Sequence, residues 1–239
     1  MKGNMMEWDL TIPQAISHAE KYNFDGQLIS RELDGSIKKT TYGESIQRSK
    51  KLANALNKLG ITLHDTVATI AWNNSRHFET YFGVSGMGAI LHTLNPRYSP
   101  AQLVYILNHA EDKVLIIDPT FIPLVEGVQD QLNFVETIII AAEKSAIPEN
   151  NLNNACSYDD LLEQESSEYQ WPELNEDTSS ALCYTSGTTG NPKGVLYSHR
   201  STILHAISIA GTMGFHSSSA VLPVVPMFHV NAWGVPYSA

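Results

Sequence analysis

Short apolar runs of strand length alternate with longer amphipathic segments along most of this chain, and the alternation limits the folds open to it. Residues 67–71, 90–94 and 113–117 have the length and the β-branched content of buried strands. Helical patterns over residues 75–87 and from residue 99 onward separate these runs. Strands that alternate with helices at this spacing predict a parallel or mixed sheet covered on both faces. The predicted fold class is therefore α/β.

Capping and turn residues predict further elements. Thr41 with Glu44 forms a capping box for a helix that Gly60 ends, and Ser99 with Pro100 opens another helix. The other predicted elements are a helix at residues 12–22, hairpin strands at 27–33 and 37–40, a helix at 120–130, a strand at 137–142, a short helix at 157–162, and strands at 180–184 and 195–197.

The last two strands enclose the most informative stretch of the chain, residues 184–194, which reads Y-T-S-G-T-T-G-N-P-K-G. Glycines let backbone N–H groups approach an anion, Ser and Thr hydroxyls add donors, and a lysine adds a compact positive charge. A flexible linker would have a similar composition, but linkers rarely lie between two strands of one sheet. The stretch therefore predicts a phosphate-binding loop.

The spacing within this loop excludes two common phosphate motifs. Pro192 stands where the Walker pattern requires its second glycine, and Lys193 is followed by Gly194 instead of Ser or Thr. Gly187 and Gly190 are spaced G-x-x-G, so the dinucleotide-binding pattern fails as well.

Residues 184–194 resemble the signature phosphate loop of the adenylate-forming acyl-activating enzymes, which include acyl-CoA synthetases, coumarate-CoA ligases, luciferases and peptide-synthetase adenylation domains. A second segment at residues 223–234, P-V-V-P-M-F-H-V-N-A-W-G, is similar to the next block of that family, in its medium- and long-chain fatty acyl-CoA synthetase form. The resemblance extends from about residue 6 onward. It implies stacked mixed or parallel sheets flanked by helices, in the amino-terminal part of a large domain.

The resemblance implies a two-step reaction. A carboxylate attacks the α-phosphate of ATP to give an acyl-adenylate and pyrophosphate, and the thiol of coenzyme A then displaces AMP. A fatty acid is the implied acid, and ATP, Mg²⁺ and coenzyme A are the implied co-substrates and cofactor. An aryl-CoA or coumarate-CoA ligase, or a luciferase-like member, is the alternative within the family. A non-catalytic nucleotide-binding module is the alternative of another class.

The same resemblance assigns roles to residues of both segments. Lys193, as a catalytic residue, would hold the leaving pyrophosphate, and Thr185 would lie near the magnesium ion. His229 becomes a catalytic residue near the substrate carboxylate, although a lone histidine in an apolar run more often belongs to the core. Trp233 would gate the acyl tunnel, although large aromatics usually serve the core. The implied nucleotide-binding residues are Thr185, Ser186, Gly187, Thr188, Thr189, Gly190, Lys193 and Val230, and the implied acyl-substrate residues are His229, Val230, Asn231 and Trp233.

Composition excludes several other classes. The net charge of −10 over 239 residues argues against binding to nucleic acid or to an anionic membrane. No apolar run approaches the roughly 20 residues of a spanning helix, and the first ten residues lack a signal-peptide core, so we expect a cytoplasmic protein without stable membrane insertion. Cys156 and Cys183 have neither metal nor redox spacing and are predicted to be free thiols.

We expect the chain to be the amino-terminal part of an AMP-binding (adenylation) domain. Residues 1–177 would form a first α/β subdomain, and residues 178–239 would begin a second one that carries the phosphate loop. The family's magnesium-binding glutamate and its small carboxyl-terminal domain with a catalytic lysine have no counterpart in this sequence. These 239 residues are therefore expected to be inactive alone, and the full-length protein is expected to form a homodimer.

Overall fold

The computed structural model describes residues 3–5, 7–185 and 190–239. Its strands are β1 (Gln27–Arg31), β2 (Ile37–Thr41), β3 (Thr66–Ile70), β4 (Ile90–Thr93), β5 (Val114–Ile117), β6 (Thr137–Ile140), β7 (Ala155–Ser157), β8 (Ser179–Thr185) and β9 (Lys193–Ser198). Its helices are α1 (Ile12–Tyr22), α2 (Tyr42–Lys58), α3 (Ser75–Gly86), α4 (Pro100–His109), α5 (Ile122–Glu126), α6 (Tyr158–Glu163), α7 (His199–Met213) and α8 (Val235–Ser238).

A seven-stranded mixed sheet forms the centre of the fold, in the order β7-β6-β5-β3-β4-β8-β9. Neighbouring strands from β7 to β8 run parallel, whereas β9 pairs antiparallel with β8. Strands β1 and β2 form a separate antiparallel hairpin. The predicted α/β class with a mixed sheet flanked by helices is confirmed.

Helices cover both faces of the sheet because successive strand residues point to opposite sides. Val67 of β3 packs in one buried cluster with Leu52 of α2 and Val84 of α3. Its neighbour Ala68 packs on the other face with Ile106 of α4. Each fully buried aliphatic side chain of this size stabilises the fold by roughly 1.5–3 kcal/mol relative to an exposed one. The two clusters hold the strand ends, from which the loops of the site depart.

The capping signals of the sequence form as predicted. At the start of α2, Thr41 and Glu44 make both hydrogen bonds of a capping box. Ser99 and Gln102 do the same for α4, where Pro100 occupies the first helical position.

Three details of the predicted elements are wrong. Instead of one helix over residues 120–130, the structure has α5 between two short 3-10 turns, because Pro123 and Gly127 do not support a longer helix. Strand β7 was not predicted, since its three residues are too short to show a period of two. Helix α7 was also missed, although Ser198 caps its start and Gly214, with φ of 66°, follows its end.

The sheet runs across the predicted subdomain boundary between residues 177 and 178. Strand β4 lies before this boundary and β8 after it, and the two pair in parallel from Leu91 with Ala181 to Thr93 with Cys183. The division into residues 1–177 and 178–239 therefore stays a prediction to which the shared sheet adds no support. Among the helices that the structure describes, none combines the length and the apolar character needed to cross a membrane.

Candidate functional site

Strands β8 and β9 form a hairpin, and residues of the predicted phosphate loop connect them. Tyr184 pairs with Gly194, and one position further Thr185 pairs with Lys193. Thr185 and Lys193 are both exposed there. Gly190 has φ of +149°, a conformation that favours glycine. The structure thus brings a hydroxyl and an ammonium group to one end of the sheet.

Four predicted nucleotide-binding residues lie outside the described part of the chain. These residues are Ser186, Gly187, Thr188 and Thr189. Their roles rest on the sequence alone.

The second segment is tied down where it crosses helix α3 and the loop before it. The backbone N–H of Met227 donates to Oδ1 of Asn73 at 2.6 Å, and the hydroxyl of Tyr81 donates to the carbonyl oxygen of Met227. Phe228 is buried, and its ring lies 6.0 Å from that of Trp72. Met227 and Phe228 therefore anchor the segment just before the residues that are predicted to contact the substrate.

Directly after this anchor, the backbone makes a left-handed turn. Val230, Asn231, Ala232 and Trp233 have φ between 42° and 57°, and Gly234 has φ of 69°. Left-handed helical geometry costs a non-glycine residue roughly 1–2 kcal/mol. A run of four such residues persists only where the surrounding contacts hold it in place, and strain of this kind is typical of functional sites.

Asn231 supplies the main polar contact of this turn. Its side chain is buried, and its Oδ1 lies 3.4 Å from Oγ1 of Thr93 and 3.4 Å from Sγ of Cys183. Burial raises the pKa of the Cys183 thiol, so the S–H stays protonated and can donate to Asn231. The left-handed turn is thereby fixed to β4 and to β8, the strand that leads into the predicted phosphate loop.

A cavity of about 450 Å³ opens between α7 and the left-handed turn. Trp233 lies at this cavity with 60% of its surface exposed. Gly234 passes close to helix α7, since a Cβ on Gly234 would lie 3.0 Å from Nδ1 of His205. The residues that line the cavity are Tyr197, Ser201, Thr202, His205, Ile209, Val230, Asn231, Trp233, Gly234 and Tyr237.

The structure brings most of the predicted residues of the second segment together. Val230, Asn231 and Trp233 all line the cavity. His229 is exposed at the residue before the turn and does not contribute to the cavity wall.

Sequence reasoning did not identify the other side of the cavity. Most of its residues come from α7, the helix that was not predicted, while Tyr197 comes from β9 and Tyr237 from α8. A Ser at position 198 followed by an apolar pattern was the signal that could have revealed this helix.

A sequence model of the AMP-binding enzyme family matches residues 18–239, and the chain belongs to this family. The 3-methylmercaptopropionyl-CoA ligase of Ruegeria lacuscaerulensis is 46% identical over 239 residues, which cover 99% of this chain and 44% of that protein. The medium-chain-fatty-acid–CoA ligase of Ectopseudomonas oleovorans is also 46% identical, with 100% and 44% covered. A long-chain-fatty-acid–CoA ligase of Thermus thermophilus is 43% identical, with 98% and 42% covered. The chain thus spans less than half the length of these relatives.

Solved structures show the same fold. An anthranilate CoA ligase in complex with anthranoyl-AMP superposes with a TM-score of 0.82 at 21% identity, over 99% of this chain and 45% of that one. A long-chain-fatty-acid-CoA ligase from Archaeoglobus fulgidus gives a TM-score of 0.81 at 20% identity, over 95% and 44%. At this level of identity the likeness concerns the fold.

Proposed function

We propose that the complete protein containing this chain is an AMP-forming fatty acyl-CoA ligase, which converts a fatty acid, ATP and coenzyme A into acyl-CoA, AMP and pyrophosphate. One observation carries the proposal, the contact between Cys183 of β8 and Asn231 of the left-handed turn. It joins the strand that leads into the phosphate loop to the wall of the cavity. A nucleotide held by the loop and an acid held in the cavity would therefore approach each other beside Asn231.

The first step would be the transfer of an adenylyl group to the acid. A carboxylate oxygen attacks the α-phosphorus of ATP, and the bond from this phosphorus to the oxygen that bridges to the β-phosphate breaks. Pyrophosphate leaves with the electron pair of that bond. Enzymes stabilise such a transfer mainly by placing positive charge and N–H or O–H donors around the phosphate oxygens. Lys193 and Thr185, paired at the end of the hairpin, fit this requirement.

A magnesium ion bound with the nucleotide would neutralise part of the phosphate charge. Mg²⁺ in nucleotide sites is usually held by one or two protein groups together with phosphate oxygens and water. The exposed Thr185 hydroxyl suits one such position. Residues 3–5, 7–185 and 190–239 contain no group of three or more His, Cys, Asp or Glu side chains placed to hold a metal ion.

The second step would release the product. The sulfur of coenzyme A attacks the acyl carbon, the bond between this carbon and the phosphate oxygen of AMP breaks, and the thiol proton passes to solvent. This chain offers no residue to which we assign a role in that step, and the family resemblance places the groups concerned outside residues 1–239.

The lining of the cavity suits a carboxylic acid with an apolar chain. Val230, Trp233 and Ile209 give its wall apolar surface, and Asn231 places an amide at the side nearest β8. We infer that the hydrocarbon chain enters past Trp233, with its carboxylate directed toward Asn231. His229 stays a proposed contact of the carboxylate, although it is exposed in this structure.

Two kinds of acid are favoured by the relatives. The medium-chain-fatty-acid ligase and the 3-methylmercaptopropionyl-CoA ligase are equally similar to this chain, at 46% identity. A short thioether acid is therefore a second candidate substrate. An aromatic acid is less favoured, since trans-cinnamate:CoA ligase of Petunia hybrida is 30% identical.

The test is ATP–pyrophosphate exchange by the complete protein with a panel of acids. The panel runs from acetate to palmitate and includes 3-methylmercaptopropionate and cinnamate. Exchange that is fastest with medium- or long-chain fatty acids supports the proposal. If exchange is fastest with the thioether acid or with cinnamate, that acid and not a fatty acid defines the substrate class. ATP binding without exchange for any acid would favour a non-catalytic nucleotide-binding module. The cytoplasmic location and the homodimer stay predictions from the sequence.

A further inference from the structure

The ring of Tyr184 is held by two histidines on one face of the sheet. The ring of His92, on β4, lies 5.2 Å from it between centroids, and the ring of His109, at the end of α4, lies 5.9 Å away. The hydroxyl of Tyr184 is 2.6 Å from Nδ1 of His109. Burial, with a contribution from the charge of Asp112, raises the pKa of Tyr184 to about 12, so the hydroxyl stays protonated.

One of these histidines is itself fixed in the interior. Nδ1 of His92 lies 2.7 Å from Oδ2 of Asp112, and both side chains are fully buried. A buried pair of this kind leaves the imidazole little freedom to rotate. The surface that Tyr184 rests on is therefore rigid.

A further contact acts on the backbone at the same point. The hydroxyl of Tyr98 donates to the carbonyl oxygen of Tyr184 at 3.0 Å. This carbonyl belongs to the peptide group that also contains the nitrogen of Thr185. Because a peptide group is planar, a hydrogen bond to its oxygen also fixes the direction in which the chain continues.

The opposite strand of the hairpin is fitted to the same ring. Gly194 pairs with Tyr184, and a Cβ on Gly194 would approach Cζ of Tyr184 to 3.2 Å and Cδ1 of Leu182 to 3.0 Å. Tyr184 therefore occupies the space that a side chain at position 194 would need. The position of one ring therefore sets β8 just before Thr185 and β9 just after Lys193.

We propose that Tyr184 and Tyr98 are positioning residues for the nucleotide: Tyr98 fixes the peptide group before Thr185, and the ring of Tyr184 fixes the separation of Thr185 and Lys193. This role requires no contact between either tyrosine and the substrate. The inference rests on the proposed function, because it requires that the loop after Tyr184 binds the phosphates of ATP. Tyr98 lies outside residues 184–194 and Tyr184 is the first of them, so both would act through the attachment of the loop to the sheet.

The decisive variant is Tyr98→Phe in the complete protein, which removes one hydrogen bond and keeps the ring. A hydrogen bond of this kind contributes about 0.5–1.5 kcal/mol, and 1.4 kcal/mol corresponds to tenfold in an equilibrium constant. We therefore expect the KM for ATP in the exchange assay to rise about three- to tenfold, while the KM for the acid changes less than about twofold. If Tyr98 had only a structural role, the variant would have a lower melting temperature, and the KM for ATP would not rise more than the KM for the acid.

Tyr105→Phe is the matched control. Tyr105 belongs to the same helix region and packs on His109, but its hydroxyl has no hydrogen-bond partner among the residues described. This variant should keep the wild-type KM for ATP. Tyr184→Phe, which loses the bond to His109 but keeps the ring and the carbonyl, should give an intermediate effect.

Titration calorimetry with ATP separates the two proposals. If the wild-type protein binds ATP but shows no exchange with any acid, the proposed function fails, while a weaker ATP affinity in Tyr98→Phe still supports the positioning role. If exchange is normal and Tyr98→Phe has the wild-type affinity and KM for ATP, the positioning role is wrong and the proposed function stands. A wild-type protein with no affinity for ATP overturns both.

Discussion

At the end of β8 the backbone keeps ordinary strand geometry, and side chains from β4, α4 and the loop before α4 hold it in place. In the turn at residues 230–234 the backbone is itself in an unfavourable conformation, and buried contacts prevent it from relaxing. The first region places Thr185 and Lys193, and the second places Asn231 and Trp233. The two regions meet where Cys183 contacts Asn231.

This difference predicts which property each region loses when it is altered. Changes to the exposed side chains of Thr185 and Lys193 should affect the proposed catalysis much more than stability, because these side chains contribute little to the core. Changes to the buried contacts of Asn231, which oppose the strain of the turn, should affect stability first. The four predictions below test this distinction in the complete protein.

The largest effect is expected for Lys193→Ala. If Lys193 stabilises the leaving pyrophosphate as proposed, loss of its charge should lower the rate of ATP–pyrophosphate exchange about 100- to 1000-fold. The side chain is exposed, so the melting temperature should stay within about 2 °C of wild type. Lys51→Ala on α2 is a control in which exchange should be unchanged. A normal exchange rate in Lys193→Ala would remove the catalytic assignment.

Asn231→Ala tests the strained turn. Asparagine tolerates positive φ better than alanine, and its Oδ1 lies against Thr93 and Cys183. We expect the free energy of unfolding, from urea denaturation, to fall by about 2 kcal/mol. Asn153→Ala, at an exposed position of ordinary φ, should change it by less than about 0.5 kcal/mol. Equal small effects in both variants would show that the turn is not under strain.

Gly194→Ala tests the packing of Tyr184 across the hairpin. The added methyl group would lie 3.0 Å from Leu182 and 3.2 Å from Tyr184, so we expect a loss of about 1 kcal/mol in stability. Gly211→Ala in α7 is the matched control, because no atom lies within 4 Å of its Cβ position and alanine favours helix. That control should gain up to about 1 kcal/mol. If both variants gained stability, the contact between Gly194 and Tyr184 would be loose.

Trp233→Ala should have the smallest effect on stability, within about 0.5 kcal/mol, because the ring is 60% exposed. If Trp233 gates the cavity, the ratio of kcat/KM for long-chain to medium-chain acids should change about tenfold, as expected when one bulky side chain alters an apolar pocket. Exposed Trp8→Ala is the control for loss of a surface tryptophan. An unchanged ratio would contradict the gate.

The sequence predicted the parts of the fold that depend on local signals. The strands β3, β4 and β5 are short segments rich in aliphatic and β-branched residues, and the capping boxes at Thr41 and Ser99 are short patterns with a direct structural meaning. The hairpin of β8 and β9 also followed from its two apolar runs. Helix α7 carries comparable capping signals, Ser198 at its start and Gly214 after its end, and was therefore predictable from the sequence although it was not predicted.

Other features could not have been read from local patterns. Nothing in the stretch Val-Asn-Ala-Trp indicates four consecutive residues with positive φ, since three of them disfavour this conformation. The contact of Asn231 with Cys183 joins residues far apart in the sequence and depends on tertiary packing. The pairing of His92 with Asp112 beneath Tyr184 is hidden for the same reason. None of these features could be predicted from local sequence, because each depends on contacts between residues that are distant along the chain.

The parallel pairing of β4 with β8 also has a kinetic consequence. Leu91 and Ala181 can become neighbours only after the intervening strands β5, β6 and β7 have been synthesised. These three strands extend the sheet from the far side of β3. Contacts between residues so distant along the chain form slowly, because closing the long loop between them costs entropy before the contacts can stabilise the fold. The part of the sheet formed by β3 to β7 can therefore assemble on the ribosome before β8 docks against β4. The strand that leads into the proposed phosphate loop is among the last to join, so affinity for ATP should appear late in refolding, after most of the helical signal has returned.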